Sequence, residues 1–106
     1  SPKVASGVWT GAIPIGDSGW FQTDFGIVYL IGVDGWAYHR ILGWINVQGR
    51  TPNDVWIWIE GNGWHWTTKH YYPYLYRNEI AAWLYLLHDA QGRPVYYHTR
   101  IDEFEE

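Results

Sequence analysis

Trp56-Ile57-Trp58-Ile59 alternates an indole with an aliphatic side chain. On a β-strand successive side chains point to opposite faces, so this run places tryptophans on one face and isoleucines on the other. The same sorting recurs along the chain. Trp36 and Tyr38 share a face opposite Ala37, Trp83 and Tyr85 lie opposite Leu84 and Leu86, and Ile45 and Val47 lie opposite Trp44. The aliphatic positions predict an ordinary core. The ring positions predict a second, amphipathic face suited to stacking on a sugar ring, a neighbouring hairpin or another copy of the chain.

Outward from this run, aromatic strands are joined through glycine turns. Residues 19–30, 35–47, 55–66 and 83–98 each read as a β-hairpin, with Asn62-Gly63 a type I′ turn signal in the third. Gly26, Gly43 and Gly63 fall at equivalent turn positions, where positive φ or a close backbone approach is expected. Asp34-Gly35 and Thr51-Pro52-Asn53-Asp54 supply turns between hairpins. The expected fold is all-β, a single domain built as an antiparallel meander or stacked β-hairpin repeats, with about eight to ten short strands. Within it, residues 1–15 form an N-terminal edge strand, 16–100 the aromatic hairpin repeats and 101–106 an exposed acidic tail in which Phe104 is a docking knob. Asn78-Glu79-Ile80-Ala81-Ala82 is the best helical candidate, and it reads equally as a turn leading into the Trp83 strand.

Composition narrows the function classes. The chain has 106 residues, enough to bury a core without staples. Nine Trp and nine Tyr dominate the apolar material, and a formal net charge of −4 argues against a phosphate-backbone partner. The seven Lys and Arg are scattered rather than interleaved with rings, which also disfavours a single-stranded nucleic-acid cleft. Without cysteine there is no disulfide, thiolate metal site or thiol nucleophile. The absence of methionine and the opening Ser1-Pro2-Lys3 read as the mature part of an exported protein whose signal has been removed. No apolar run reaches the length of a membrane span, so membrane insertion is not expected.

Candidate chemistry is sparse. His39, His65, His70, His88 and His98 include no His-x-His pair and no recognised ligand motif, so they read as strand and turn histidines bonded to nearby carbonyls rather than a metal site. A glycosidase needs two carboxylates flanking a cleft. Asp17, Asp24, Asp34, Asp54 and Asp89 read as turn residues, the remaining acids lie mostly in the tail, and only Glu60 and Glu79 stand near aromatic strands. Serine occurs at positions 1, 6 and 18 with no nucleophile elbow. No enzyme activity, cofactor or metal is expected.

The order Gly19-Trp20-Phe21, Gly35-Trp36-Ala37-Tyr38-His39, Leu42-Gly43-Trp44-Ile45, Gly63-Trp64-His65-Trp66-Thr67, Tyr72-Pro73-Tyr74-Leu75-Tyr76 and Trp83-Leu84-Tyr85 resembles the tryptophan-rich repeat module at the C-terminal ends of secreted and surface proteins of environmental bacteria. The resemblance covers roughly residues 16–100. The chain departs from the pattern at Phe25-Gly26-Ile27, which lacks the Trp expected after that glycine, and no long domain is expected in front of it. A lesser similarity is to the choline-binding repeats of cell-wall proteins, whose length and register differ. The resemblance implies an extracellular or cell-surface location and a hairpin architecture rather than an activity.

Two non-catalytic functions are expected from these residues. One is a structural or adhesive module that associates with copies of itself or with envelope proteins. The other is a carbohydrate-binding module with a Trp/Tyr stacking platform for polysaccharide. In either case the contact residues are Trp36, Tyr38, Trp56, Trp58, Trp64, Trp66, Tyr72, Tyr74, Tyr76, Trp83 and Tyr85, with Tyr71 to Tyr76 the most exposed cluster.

Overall fold

The computed structural model describes residues 7–32 and 34–106. The fold is all-β: strand accounts for 55% of the described residues, and the one helical element among them is a single 3₁₀ turn, Asn78–Ile80, at the segment that reads as helix or turn. The strands are β1 (Ile13–Pro14), β2 (Trp20–Thr23), β3 (Gly26–Leu30), β4 (Trp36–His39), β5 (Gly43–Thr51), β6 (Asp54–Ile59), β7 (Gly63–Thr67), β8 (Tyr74–Arg77), β9 (Ala82–His88), β10 (Pro94–His98) and β11 (Glu103–Glu105). They form one antiparallel meander, each strand hydrogen-bonded to its neighbours in sequence, and the sheet does not close into a barrel. The anticipated hairpins are β2–β3, β4–β5, β6–β7 and β9–β10.

The alternation of Trp56-Ile57-Trp58-Ile59 sorts as the residues dictate. Val55, Ile57 and Ile59 are buried and Trp56 is 37% exposed. Ala37, Ile45, Val47, Leu75, Leu84 and Leu86 extend the buried face across the neighbouring strands. Each fully buried aliphatic side chain here contributes roughly 1.5–3 kcal/mol. An open sheet must still cover this face, and it does so by curling. Phe25, at the β2–β3 turn, packs edge-on against Tyr72 of the β7–β8 loop, with ring centroids 5.9 Å apart. Val8 joins the buried cluster, and Trp9 packs on Phe25 at 6.1 Å, so the segment before β1 folds over the same face.

Gly26, Gly43 and Gly63 each open the second strand of a hairpin and all have positive φ (94°, 77° and 79°). The third hairpin, however, does not turn at Asn62-Gly63 as a type I′ loop. The Asn62 amide donates to the Ile59 carbonyl at 3.0 Å, closing a turn over Ile59–Asn62 in which Gly61, at φ 82°, supplies the left-handed residue. A type I′ loop needs positive φ at both central residues, and Asn62 is not positive.

The ends of the sheet refine the expectation. The N-terminal edge strand is present, and among the described residues of 1–15 it comprises Ile13–Pro14, paired with Gln22 and Phe21; positions 1–6 lie outside the described residues. The acidic tail is exposed as expected apart from Glu105, but it is not a free appendage. Glu103–Glu105 pair with β10, and Glu105 turns inward to the Arg77 guanidinium, which brings the described strands to eleven. Asp54, read as a turn residue, is the first residue of β6.

Candidate aromatic recognition face

Strand register turns the scattered rings into rows that cross the outer face. Trp20, Tyr29, Tyr38 and Trp44 are direct partners across β2 to β5. Trp36, Asn46, Trp58 and Trp64 follow across β4 to β7. Gln48, Trp56, Trp66, Tyr76 and Trp83 cross β5 to β9. Tyr74, Tyr85, Tyr97 and Phe104 complete the series from β8 to β11. Cross-strand partners stand about 4.5–5.5 Å apart at Cβ, so rings in one row lie within reach of one another.

Many of them touch, chiefly edge to face. Tyr38 and Trp44 lie 5.3 Å apart with planes at 88°, Tyr76 and Trp83 5.4 Å at 66°, and Tyr74 and Tyr85 4.7 Å at 80°. Trp36 reaches across Asn46 to Trp58 at 6.2 Å and 81°. The outer face is therefore corrugated rather than one coplanar platform, because the ring quadrupoles favour edge-to-face contact.

Of the residues expected to make contacts, Trp36, Tyr38, Trp56, Trp64 and Tyr74 are exposed on this face. Trp58, Trp66, Tyr76, Trp83 and Tyr85 lie on it half-buried among the others. Tyr72 does not belong to it. It lies in the β7–β8 loop rather than on a strand, and the loop turns its ring inward against Phe25 and His39, where burial pushes the phenol up to about 12. The Tyr71–Tyr76 cluster is thus divided, with Tyr71 at 50% exposure outside and Tyr72 inside. Trp20, Tyr29, Trp44 and Tyr97 also belong to the face. Their membership depends on register between strands, and the nearest signal for it in the sequence is the matching parity of Trp20 and Tyr29 in one hairpin.

On this face two depressions meet at Trp56. One, of about 350 Å³, is lined by Trp56, Trp66, Tyr76 and Trp83. The other, of about 310 Å³, is lined by Trp56 with polar residues that include Gln48, Arg50 and Asp54. The Trp66 indole N–H donates to Asp54 Oδ1 at 2.7 Å, which fixes the ring at the junction.

The buried polar groups lie on the opposite, inner face. His39 Nδ1 accepts from the amides of Ile41 and Leu42 at 3.0 and 3.1 Å, so the proton sits on Nε2, which donates to the Phe25 carbonyl at 2.8 Å. This neutral ring caps one hairpin loop and ties it to another, and burial pushes it down to about 4. His65 Nδ1 donates to the Gly63 carbonyl and its Nε2 accepts from Arg77 Nε at 2.9 Å. Burial, with the Arg77 charge beside it, takes this ring to about 4 as well. Arg77 Nη1 reaches both Glu105 oxygens, at 3.0 and 3.2 Å, while its guanidinium lies 4.8 Å over the Tyr96 ring. Burial acts to raise the Glu105 carboxyl, but hydrogen bonds from Arg77 and His98 outweigh it and hold the group below its ordinary value. Asp89 Oδ1 accepts from the amides of Gln91 and Arg93, the turn chemistry expected of it. Among the described residues no three His, Asp or Glu side chains gather as a metal-binding group.

In comparison with known proteins, the chain matches no family model, no curated protein and no solved structure.

Proposed function

We propose that the domain is a non-catalytic extracellular or cell-surface module of the tryptophan-rich repeat type, which works by burying its outer aromatic face against copies of itself or other envelope proteins. The observation that carries this reading is the set of aromatic rows on one side of the sheet, whose rings remain exposed at Trp36, Tyr38, Trp44, Trp56, Trp64 and Tyr74. Contiguous apolar surface on this scale is uncommon on free monomers and typically marks a contact site. Its corrugation favours a partner that interdigitates over one that lies flat. The reading is tested by size in solution against concentration. Sedimentation coefficients that rise with concentration support it, and a strict monomer up to about millimolar protein rejects association with copies of itself.

A second reading, carbohydrate binding, is favoured by one observation: an apolar depression and a polar one share Trp56. Stacking rings beside hydrogen-bonding side chains match a sugar, which offers C–H faces and hydroxyls together.

A further inference from the structure

We infer that the trough centred on Trp56 is a binding site for a neutral oligosaccharide, which lies against the edges and faces of Trp83, Tyr76 and Trp66 and is hydrogen-bonded beyond Trp56 by Gln48, Arg50 and Asp54. The inference rests on the carbohydrate reading above and gives it a location and a ligand class.

Length is set by the sheet. Trp56, Trp66, Tyr76 and Trp83 occupy adjacent strands in direct register. Adjacent strands lie about 4.8 Å apart, so the row spans roughly 14 Å. That exceeds one pyranose ring and calls for a chain of sugars. Three of its four rings are also held in place. Trp66 is pinned by Asp54, and Trp83 packs against Trp66 at 6.1 Å, Tyr71 at 5.6 Å and Tyr76 at 5.4 Å. Rings already held in place lose little conformational freedom when a ligand stacks on them.

The polar end selects hydroxyls over a single charge. The Gln48 amide nitrogen is taken by the Asp34 carbonyl at 3.3 Å and by Asn46 Oδ1 at 2.6 Å, which leaves its oxygen as an acceptor. Asp54 spends Oδ1 on Trp66 and keeps Oδ2 for a ligand donor. Arg50 makes no ion pair among the described residues and offers donors. One cation and one carboxylate offset each other, so the lining as a whole favours a neutral ligand that both donates and accepts.

The test is isothermal titration of the native domain with cellotetraose, xylotetraose, N-acetylchitotetraose and maltotetraose, repeated on Trp56→Ala, Gln48→Ala and Trp44→Ala, with circular dichroism to verify folding. The expected result is binding of at least one tetrasaccharide at millimolar or better affinity. Trp56→Ala should weaken it about thirtyfold and Gln48→Ala several-fold, and Trp44→Ala, in a different row of the same face, less than either. If Trp56→Ala does not fold, Gln48→Ala, an exposed side chain, decides the outcome. Binding that survives both trough substitutions but is lost in Trp44→Ala overturns this location and leaves the carbohydrate reading standing. No binding of any of these sugars at millimolar concentration overturns both.

Discussion

At the residue scale, the same amino acid in equivalent turn positions carries unequal weight. Gly26 and Gly43 both open the second strand of a hairpin with positive φ. A Cβ on Gly26 would stand 2.8 Å from His39 Nε2 and 2.9 Å from the Tyr72 hydroxyl, while a Cβ on Gly43 meets nothing within 4 Å. Gly43→Ala therefore carries only the left-handed penalty, about 1 kcal/mol. Gly26→Ala adds displacement of the His39–Tyr72 contact, for a total of about 2–4 kcal/mol. Urea unfolding of the two variants checks this, and equal losses would contradict it. The positive φ at both sites was legible from Gly in a hairpin turn. The difference between them was not, because His39 and Tyr72 arrive from other parts of the chain.

At the element scale, β11 shows what an acidic composition conceals. Asp102-Glu103-Phe104-Glu105-Glu106 looks like a solvated tail, yet Glu105 supplies the carboxylate for a guanidinium whose side chain is only 6% exposed. Removing one partner of a buried ion pair leaves the other uncompensated, which commonly costs about 3–5 kcal/mol. Glu105 is one-third exposed, so Glu105→Gln should cost less, about 2 kcal/mol, read as a lower unfolding midpoint. Deletion of 103–106 should cost more, since it also removes the β10–β11 pairing. An unchanged midpoint for the deletion would show that β11 is not part of the folded unit. Hairpins were readable because their partners are close in sequence. The Arg77–Glu105 pair, like the inward turn of Tyr72, depends on how far the sheet curls, which no local pattern encodes.

At the scale of the whole molecule, the two faces differ in composition: the inner face holds the aliphatic core and the buried polar groups, and the outer face carries the exposed rings proposed above as a contact surface. The inner face sets a pH limit. His39 and His65 are held neutral at about 4 in the fold, against an ordinary value of 6.5. Between those values the unfolded chain binds more protons, so stability is full above pH 6.5 and falls as pH drops toward 4, by about 3 kcal/mol for each ring. Glu105, whose folded value is depressed, adds to the loss at lower pH. Thermal unfolding at pH 7.5, 5.5 and 4.5 should show a progressive fall, and a flat profile would contradict the neutral-histidine assignment. Face alternation alone made this division visible in the sequence, although the tryptophans and tyrosines are as hydrophobic as many core residues.

The most direct test of that division is sedimentation velocity on the native domain and on a Trp36→Ala, Trp44→Ala double variant, with the unfolding midpoint recorded on the same samples. Both rings are exposed, at 39% and 52%. The native domain is expected to associate as concentration rises and the double variant at least tenfold more weakly, while the two substitutions together cost less than about 2 kcal/mol of folding stability, the scale of lost edge-to-face contacts. A variant that associates as the native domain does while losing most of its folding stability would contradict it, since the outer rings would then be part of the core.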